Sequence, residues 1–388
     1  MIKLMNRSAC CGCSACASIC PKGAIVMQSD GLGFKYPKID SDKCVECGLC
    51  EKVCSFNDMY DTSCNLEEPY AYAMRHKDIH AVETSRSGAV FVAVSDKIID
   101  QGGVVYGAGF TENFRVIHKR AETKIERDEF KGSKYVQSDM TGVFPQIKKD
   151  LQDGKIVLFS GTPCQTSGLN SYVGSKLREN LYLVDIVCHG VPGPYVWKEY
   201  LNFIQEKYKN TILSVNFRDK SEYGWSSHKE SFQFESNKIY RNTFTYLFYE
   251  HLMFRPSCAN CHFANLVRPS DVTLADFWGW QRTGTSMNDD DKGISLVLCN
   301  SKKGKKLLES ISDAVISIPV ELSKCLQPNL QQPSVFGKKW KQFEKDFINK
   351  GFIYVGKKYG DMGWRYIIKR FFAKARTLRK IIINRLNF

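Results

Sequence analysis

Hydrophobic positions along the chain follow three regimes. From about residue 68 to 330, short apolar runs alternate with stretches of helical period. Residues 155–159 and 181–187 are continuous apolar runs of buried-strand length, ended by Gly161-Thr162-Pro163 and by Cys188-His189-Gly190. Between residues 87 and 101 the apolar positions Val90, Phe91, Val94, Ile98 and Ile99 have the period of a helix, and Gly102-Gly103 ends it before a strand at Val104-Val105-Tyr106. This alternation predicts an α/β domain with a mainly parallel sheet, its functional loops at the carboxyl ends of the strands. Residues 1–64 lack that rhythm and are short, repetitive and rich in cysteine. In the third regime, residues 335–388, apolar positions from Trp364 through Ile368, Phe371 and Leu378 to Leu386 recur at helical spacing among Lys and Arg, which predicts a basic amphipathic helical tail. Residues 65–69 and 328–333 read as linkers between the three regions.

Composition narrows the class. Of 388 residues, 43% are hydrophobic and 25% charged, which excludes a mainly disordered or fibrous chain. The apolar runs at 156–159 and 381–383 fall far short of the roughly 20 residues that a membrane-spanning helix needs. The first 20 residues carry cysteines and polar groups where a signal peptide would need an apolar stretch, so a cytoplasmic location is expected. Charge is uneven. Residues 338–388 hold 15 Lys and Arg against three acids, while the other 337 residues carry 40 basic and 38 acidic groups. The cationic tail suits either an anionic membrane surface, as a peripheral contact at its inner face, or packing against the body or a partner. Nothing in it interleaves stacking aromatics with a nucleic-acid fold, so no nucleic-acid partner is expected.

The cysteines carry the chemistry. Ten of the 16 lie in the first 64 residues, and in a long chain without a signal peptide that density points to metal rather than disulfides. Cys10-x2-Cys13-x2-Cys16-x3-Cys20 is followed by a second copy, Cys44-x2-Cys47-x2-Cys50-x3-Cys54. Such a pair suits two 4Fe–4S cubanes, each taking three ligands from one copy and the fourth from the other. Cys10, Cys13, Cys16 and Cys54 would hold one cluster, and Cys44, Cys47, Cys50 and Cys20 the second. Paired zinc sites are the alternative, although they usually show C-x2-C pairs separated by longer gaps. Cys11 and Cys64 fall out of register and read as spare.

A second set lies in the α/β region: Cys164 and Cys188, each after a predicted strand, and the pair Cys258 and Cys261. Folded over one sheet edge, they could form a third cubane or a zinc site, with His189 and His262 as substitute ligands. Unrelated buried cysteines, or a nucleophilic Cys164 at a helix start, are the competing readings.

The order of motifs makes the resemblance specific. Ser85-Arg86-Ser87-Gly88-Ala89, Lys131-Gly132-Ser133-Lys134-Tyr135, Gly161-Thr162-Pro163-Cys164-Gln165, Cys188-His189-Gly190-Val191-Pro192, Cys258-x2-Cys261 and Ala275-Asp276-Phe277-Trp278-Gly279 follow one another along the chain. Together they resemble the coenzyme F420 hydrogenase/dehydrogenase beta-subunit family, here behind a bacterial-ferredoxin-like two-cluster module. The resemblance covers about residues 5 to 330. It implies FAD, a flavin-proximal 4Fe–4S cluster on Cys164, Cys188, Cys258 and Cys261, and flavin contacts at Ser87, Gly88, Ser133, Lys134, Tyr135 and Asp276. A Ser-Gly turn opening a helix can present N–H groups to a pyrophosphate, and Lys134 could stabilise a reduced flavin. Tyr135, His189, His228 and Asp276 are candidate proton donors, His189 foremost because it follows a predicted ligand. The chain departs from the hydrogenase-type members where Ala89-Val90-Phe91 replaces a glycine-rich stretch, so use of the deazaflavin does not carry over with the rest.

The expectation is therefore a multidomain α+β and α/β protein. A two-cluster domain spans 1–64, an FAD domain 68–330, and the tail 335–388. Its expected function is that of an anaerobe's iron–sulfur flavoprotein oxidoreductase, passing electrons from a ferredoxin-like carrier or partner subunit to a small organic acceptor. The non-enzymatic alternatives are an electron-transfer subunit feeding a partner reductase and a zinc-stabilised binding protein.

Overall fold

The computed structural model describes residues 6–56, 60–364, 366 and 368. The cysteine repeat is also a backbone repeat. Gly12 and Ser14 flank Cys13 with φ of 72° and 70°, and Glu46 and Gly48 flank Cys47 with φ of 52° and 73°. These left-handed pairs curl each run into a loop that turns its thiols inward. Short helices at Ala15–Ile19 and Leu49–Lys52 close the two loops, and the antiparallel hairpin Ile25–Ser29 with Lys35–Ile39 lies between them in sequence.

The body is built on an eight-stranded sheet. In spatial order its strands are Val315–Val320, Asn65–His76, Ser295–Ser301, Val272–Asp276, Leu181–Ile186, Val157–Gly161, Val104–Phe110 and Val116–Ala121. The expected strands and the helix Val90–Asp100 are present, but the sheet is less parallel than the alternation predicts. Three pairings among the four central strands are parallel, and the four flanking ones are antiparallel. The reason lies in connection length: a parallel pair needs a long crossover, whereas only residues 111–115 separate Val104–Phe110 from Val116–Ala121.

Two linker assignments are corrected. Residues 65–69 are the start of the strand Asn65–His76: Asn65 pairs with Ser301 and Tyr70 with Cys299, and the exposed Glu67 and Glu68 lie in the irregular stretch between these pairs. Residues 328–333 pack rather than link, with Asn329 and Leu330 buried around a single 3-10 turn. The first part of the expected tail is likewise no tail. Helix Trp340–Lys358 buries Trp340, Phe343, Phe347, Phe352 and Val355 against the aromatic core around Tyr200, Phe232 and Phe244. Most of the amphipathic stretch from Trp364 to Leu386 lies outside the described residues. Among the described residues, no helix is long and apolar enough to cross a membrane.

Candidate functional site

The cysteine loops gather their thiols into separate groups. Burial pushes the Cys16 thiol up to about 12, and the neighbouring Cys10, Cys54 and Cys50 raise it further. Cys16 is thus close to two of its expected co-ligands and to a member of the other set. Cys20, Cys44, Cys47 and Cys50 line one small pocket, the expected membership of the second group. Cys47 is exposed and Cys50 buried, so this group spans from the surface inward.

The four cysteines of the body also come together. Cys164 stands in the first turn of helix Pro163–Val173, which a Thr162/Gln165 capping box begins. Cys188 follows the strand Leu181–Ile186, and Cys258 lies in the 3-10 turn Pro256–Asn260 that brings Cys261 back beside it. Burial pushes Cys188 up to about 12, with Cys164 and Cys261 adding to the rise. Burial likewise raises Cys258, which feels Cys188, Cys164 and Cys261 in turn. Four buried thiols that oppose one another's ionisation favour a cation placed among them, because metal binding displaces their protons. Among the described residues no three His, Cys, Asp or Glu side chains converge on a single-ion point. His262 is not part of the cysteine group: its ring stacks on Phe56 with centroids 4.4 Å apart.

Cys11, which the register leaves spare, occupies the junction. It is 5% exposed and packs with Phe56 and Phe263 beside Cys13, Cys54, Cys164 and Cys261. Its thiol lies within hydrogen-bonding reach of both Cys13 and Cys164, and the Cys13 contact and burial push it well up. Only its adjacency to a ligand could have flagged it in the sequence. Arg255 is the second residue that the spacing could not reveal. It is fully buried, and its guanidinium donates to the Cys10 carbonyl (2.8 Å), Gln137 Oε1 (2.9 Å) and the Lys35 carbonyl (2.9 Å), with Cys10 Sγ at 3.6 Å. Among the described residues no carboxylate pairs with it.

Beyond Cys188 opens a cavity of about 520 Å³, within the range of cofactor sites. It lies at the carboxyl ends of the parallel strands, lined by Gly107, Ser160, Ile186 and Asp276 among others. Ser87, Ser133, Lys134, Tyr135, Cys188, His189 and Asp276 are all on its wall. Gly88 is not. It is wedged behind the wall, where a Cβ would meet Met74 O at 2.3 Å, and its N–H donates to Ser295 Oγ. Helix Val90–Asp100 starts one turn later than the Ser-Gly pair, and it is Ala89, Val90 and Phe91 that face the cavity.

Lys134 is half-buried on the cavity wall. Its Nζ donates to the Glu129 and Lys131 carbonyls at 2.8 Å, and burial pushes it down to about 7. It thereby braces the 129–134 loop and stands on the wall as an amine that is only partly protonated at neutral pH. At the far side of the loop, His118 Nε2 faces the Ser160 carbonyl at 3.0 Å, and Nδ1 faces Ser138 Oγ at 2.7 Å. The carbonyl can only accept, so Nε2 carries the proton of a neutral ring. Burial pushes His118 down to about 4, and Lys134 lowers it further. The unfolded ring titrates near 6.5, so between about pH 6.5 and 4 the folded state binds fewer protons, and its stability is lost as pH falls through that window. The thermal midpoint of His118→Gln should be lower at pH 7 but decline less between pH 6.5 and 4 than that of the unaltered protein. Parallel declines would sink this assignment.

His189 lines the cavity, its pKa lowered by burial and by His251. Asp276 sits between two guanidiniums. Burial alone would raise its carboxyl, but Arg218 and Arg86 hold it below the usual range. Arg218 Nη1 donates to Asp276 Oδ2, Trp225 Nε1 donates to Oδ1 at 3.3 Å, and Arg86 Nε lies 3.8 Å away. Residue 86 was legible as part of a motif. Arg218 and Trp225 come from a segment without one, and only the fold brings them here.

Residues 154–320 match the family described as the C terminus of the coenzyme F420 hydrogenase/dehydrogenase beta subunit, and residues 9–57 match the 4Fe-4S dicluster domain. The chain belongs to the coenzyme F420 hydrogenase/dehydrogenase beta-subunit family. It is an iron–sulfur electron-transfer protein of that family. Over 48 residues it is 44% identical to one component of the Na(+)-translocating ferredoxin:NAD(+) oxidoreductase complex of Acetobacterium woodii, covering 12% of this chain and 13% of that one. It is 35% identical over 54 residues to an uncharacterized ferredoxin of Methanocaldococcus jannaschii, or 14% of this chain and 69% of that protein. Among solved structures it is similar to a chain of the F420-reducing [NiFe] hydrogenase complex from Methanosarcina barkeri, at 15% identity and a TM-score of 0.46 over 76% of this chain and 95% of that one.

Proposed function

We propose that this family member is a flavin-dependent oxidoreductase that draws electrons from a ferredoxin-like carrier or a redox partner subunit and delivers them to a small organic acceptor. The observation that carries the reading is the unbroken series of thiols from the exposed Cys47 to the cavity wall at Cys188. Cys50 and Cys16 are neighbours, Cys13 and Cys164 both touch Cys11, and Cys164 and Cys188 feel each other's charge. Three 4Fe–4S clusters are assigned along that series. The first is on Cys20, Cys44, Cys47 and Cys50, the next on Cys10, Cys13, Cys16 and Cys54, and the proximal one on Cys164, Cys188, Cys258 and Cys261.

The cavity residues suit FAD. Among the described residues Arg86, Lys131 and Arg218 line the wall, with Lys134 partly protonated, against one acid, Asp276, a balance that favours an anionic cofactor. Bound there, FAD supplies the exchange between one-electron arrivals and two-electron reduction. Ser133, Lys134, Tyr135 and Ser87 would hold it, and an anionic cofactor would favour the protonated form of Lys134. His189, next to the ligand Cys188, is placed to give a proton to the acceptor. The domains proposed are the two-cluster unit at 1–64 and the flavin unit, whose first strand begins at Asn65.

Cofactor content of anaerobically purified protein tests the reading. About twelve irons, at four per cubane, with acid-labile sulfide to match and one FAD per chain is the expected result. About eight irons without flavin would remove the reductase and leave a carrier; zinc in place of iron would remove both.

A further inference from the structure

The cavity has two basic foci. One is the loop carrying Lys131 and Lys134, whose charge acts on His118. The other is the pair Arg86 and Arg218, whose charges act on His228. Two guanidiniums share the single carboxylate of Asp276, so this second end keeps a net positive charge. Their side chains are 9% and 2% exposed, and the Nε of each is buried without a hydrogen-bond partner. A buried cation left short of charge and of acceptors is costly unless something supplies both. Arg86 Nη1 and Nη2 donate to the Arg218 and Trp225 carbonyls, which bring no charge, while Arg218 Nη1 reaches the Tyr135 hydroxyl and Nη2 the Trp225 carbonyl only at 3.4 Å, so Arg218 keeps the weaker set of bonds.

The walls around this focus are flat. Trp278 lies 5.2 Å from the Arg218 guanidinium, His228 stacks on Tyr249 at 5.2 Å, and His228 and Trp278 are 5.3 Å apart. Trp225 backs Trp278 at 4.4 Å. We propose that the Arg86–Arg218 end of the cavity is the acceptor subsite, and that the acceptor is a planar or conjugated organic anion whose carboxylate or equivalent oxyanion completes the Arg86–Asp276–Arg218 group. Its body lies along Trp278, Tyr249 and His228. This assignment rests on the flavin reading for the rest of the cavity. The same anion chemistry could instead belong to the cofactor's own phosphates, and the test separates the two.

The probes are benzoate, a planar carboxylate, and benzamide, its neutral counterpart. Both are titrated into full-length, anaerobically purified protein while tryptophan fluorescence and flavin absorption are recorded. Benzoate should bind saturably and benzamide about tenfold or more weaker, and Arg218→Gln should weaken benzoate by a similar factor with flavin per chain unchanged. Equal affinities for the two probes, or no saturable benzoate binding, overturn the proposal. So does loss of flavin from Arg218→Gln, which would give the pair to the cofactor. If that variant does not fold, the contrast between the probes in the unaltered protein decides. Protein that purifies without flavin defeats the reductase reading, yet the contrast read on tryptophan fluorescence still decides this one.

Discussion

Cys188→Ser is expected to lower the iron content from about twelve to about eight per chain, at four irons per cubane, while leaving flavin in place. Cys188 is the informative position because it belongs to two environments. It is grouped with Cys164, Cys258 and Cys261, and it is also on the cavity wall. A serine hydroxyl fills nearly the same space, so packing changes little, but an oxygen is a poor substitute for thiolate at a soft iron–sulfur centre. Chemical reduction of the remaining clusters should then no longer bleach the flavin, because the last link of the series is gone. Cys299→Ser is the matched control: Cys299 is fully buried in the strand Ser295–Ser301, away from either group. Iron and sulfide analysis with flavin absorption, on both variants, is the measurement. Twelve irons retained in Cys188→Ser would remove Cys188 from the ligands of the proximal cluster.

What the sequence made legible follows from where the information sits. The twin cysteine runs are local, and their spacing survives folding as a repeat of left-handed residues around Cys13 and Cys47. The strand-turn patterns at Ser160-Gly161 and Ile186-Val187 placed Cys164 and Cys188 at one sheet edge, which the structure also does. The pattern did not reveal pairing direction, because an apolar strand reads alike in parallel and antiparallel neighbours. Nor did it reveal that residues 65–69 open a strand, since the two exposed glutamates there look like a loop until the pairs on either side, Asn65 with Ser301 and Tyr70 with Cys299, are known. The carbonyls of Glu129 and Lys131 that hold the Lys134 ammonium were not legible either, because they turn toward it only once the loop is folded. Arg218 and Trp225 reach Asp276 over 58 and 51 residues, a distance no motif spans.

Arg255→Ala is expected to lower the thermal midpoint by roughly 10 °C, from a loss of about 3–5 kcal/mol. This side chain is one of several ties between the cysteine module and the body, beside the shared apolar core of Ala15, Ile25 and Val53 with Phe144 and Leu169 and the Lys35–Asp139 ion pair. It crosses from the Cys258 loop to bond the Cys10 and Lys35 carbonyls, and its guanidinium lies 4.2 Å from the Tyr36 ring centroid. Removing it strands the Cys10 and Lys35 carbonyls and Gln137 Oε1, and each unsatisfied buried group costs about 1–3 kcal/mol. Lysine cannot fork to three acceptors, so Arg255→Lys should recover only part of the loss. The charge has a second consequence. Arg255 approaches Cys10 Sγ. The Cys164 thiol is raised chiefly by its contact with Cys11 and by burial, and Arg255 works against that rise. Arg255 is thus the cation shared by the middle and proximal groups. A positive charge beside an iron–sulfur cluster favours its reduced form, and more negative surroundings lower its potential. A redox titration of Arg255→Ala should therefore show two of the three clusters shifted to lower potential, with the one on Cys20, Cys44, Cys47 and Cys50 unmoved. Shifts in all three, or in none, would mean that Arg255 pins the module without tuning its electron path.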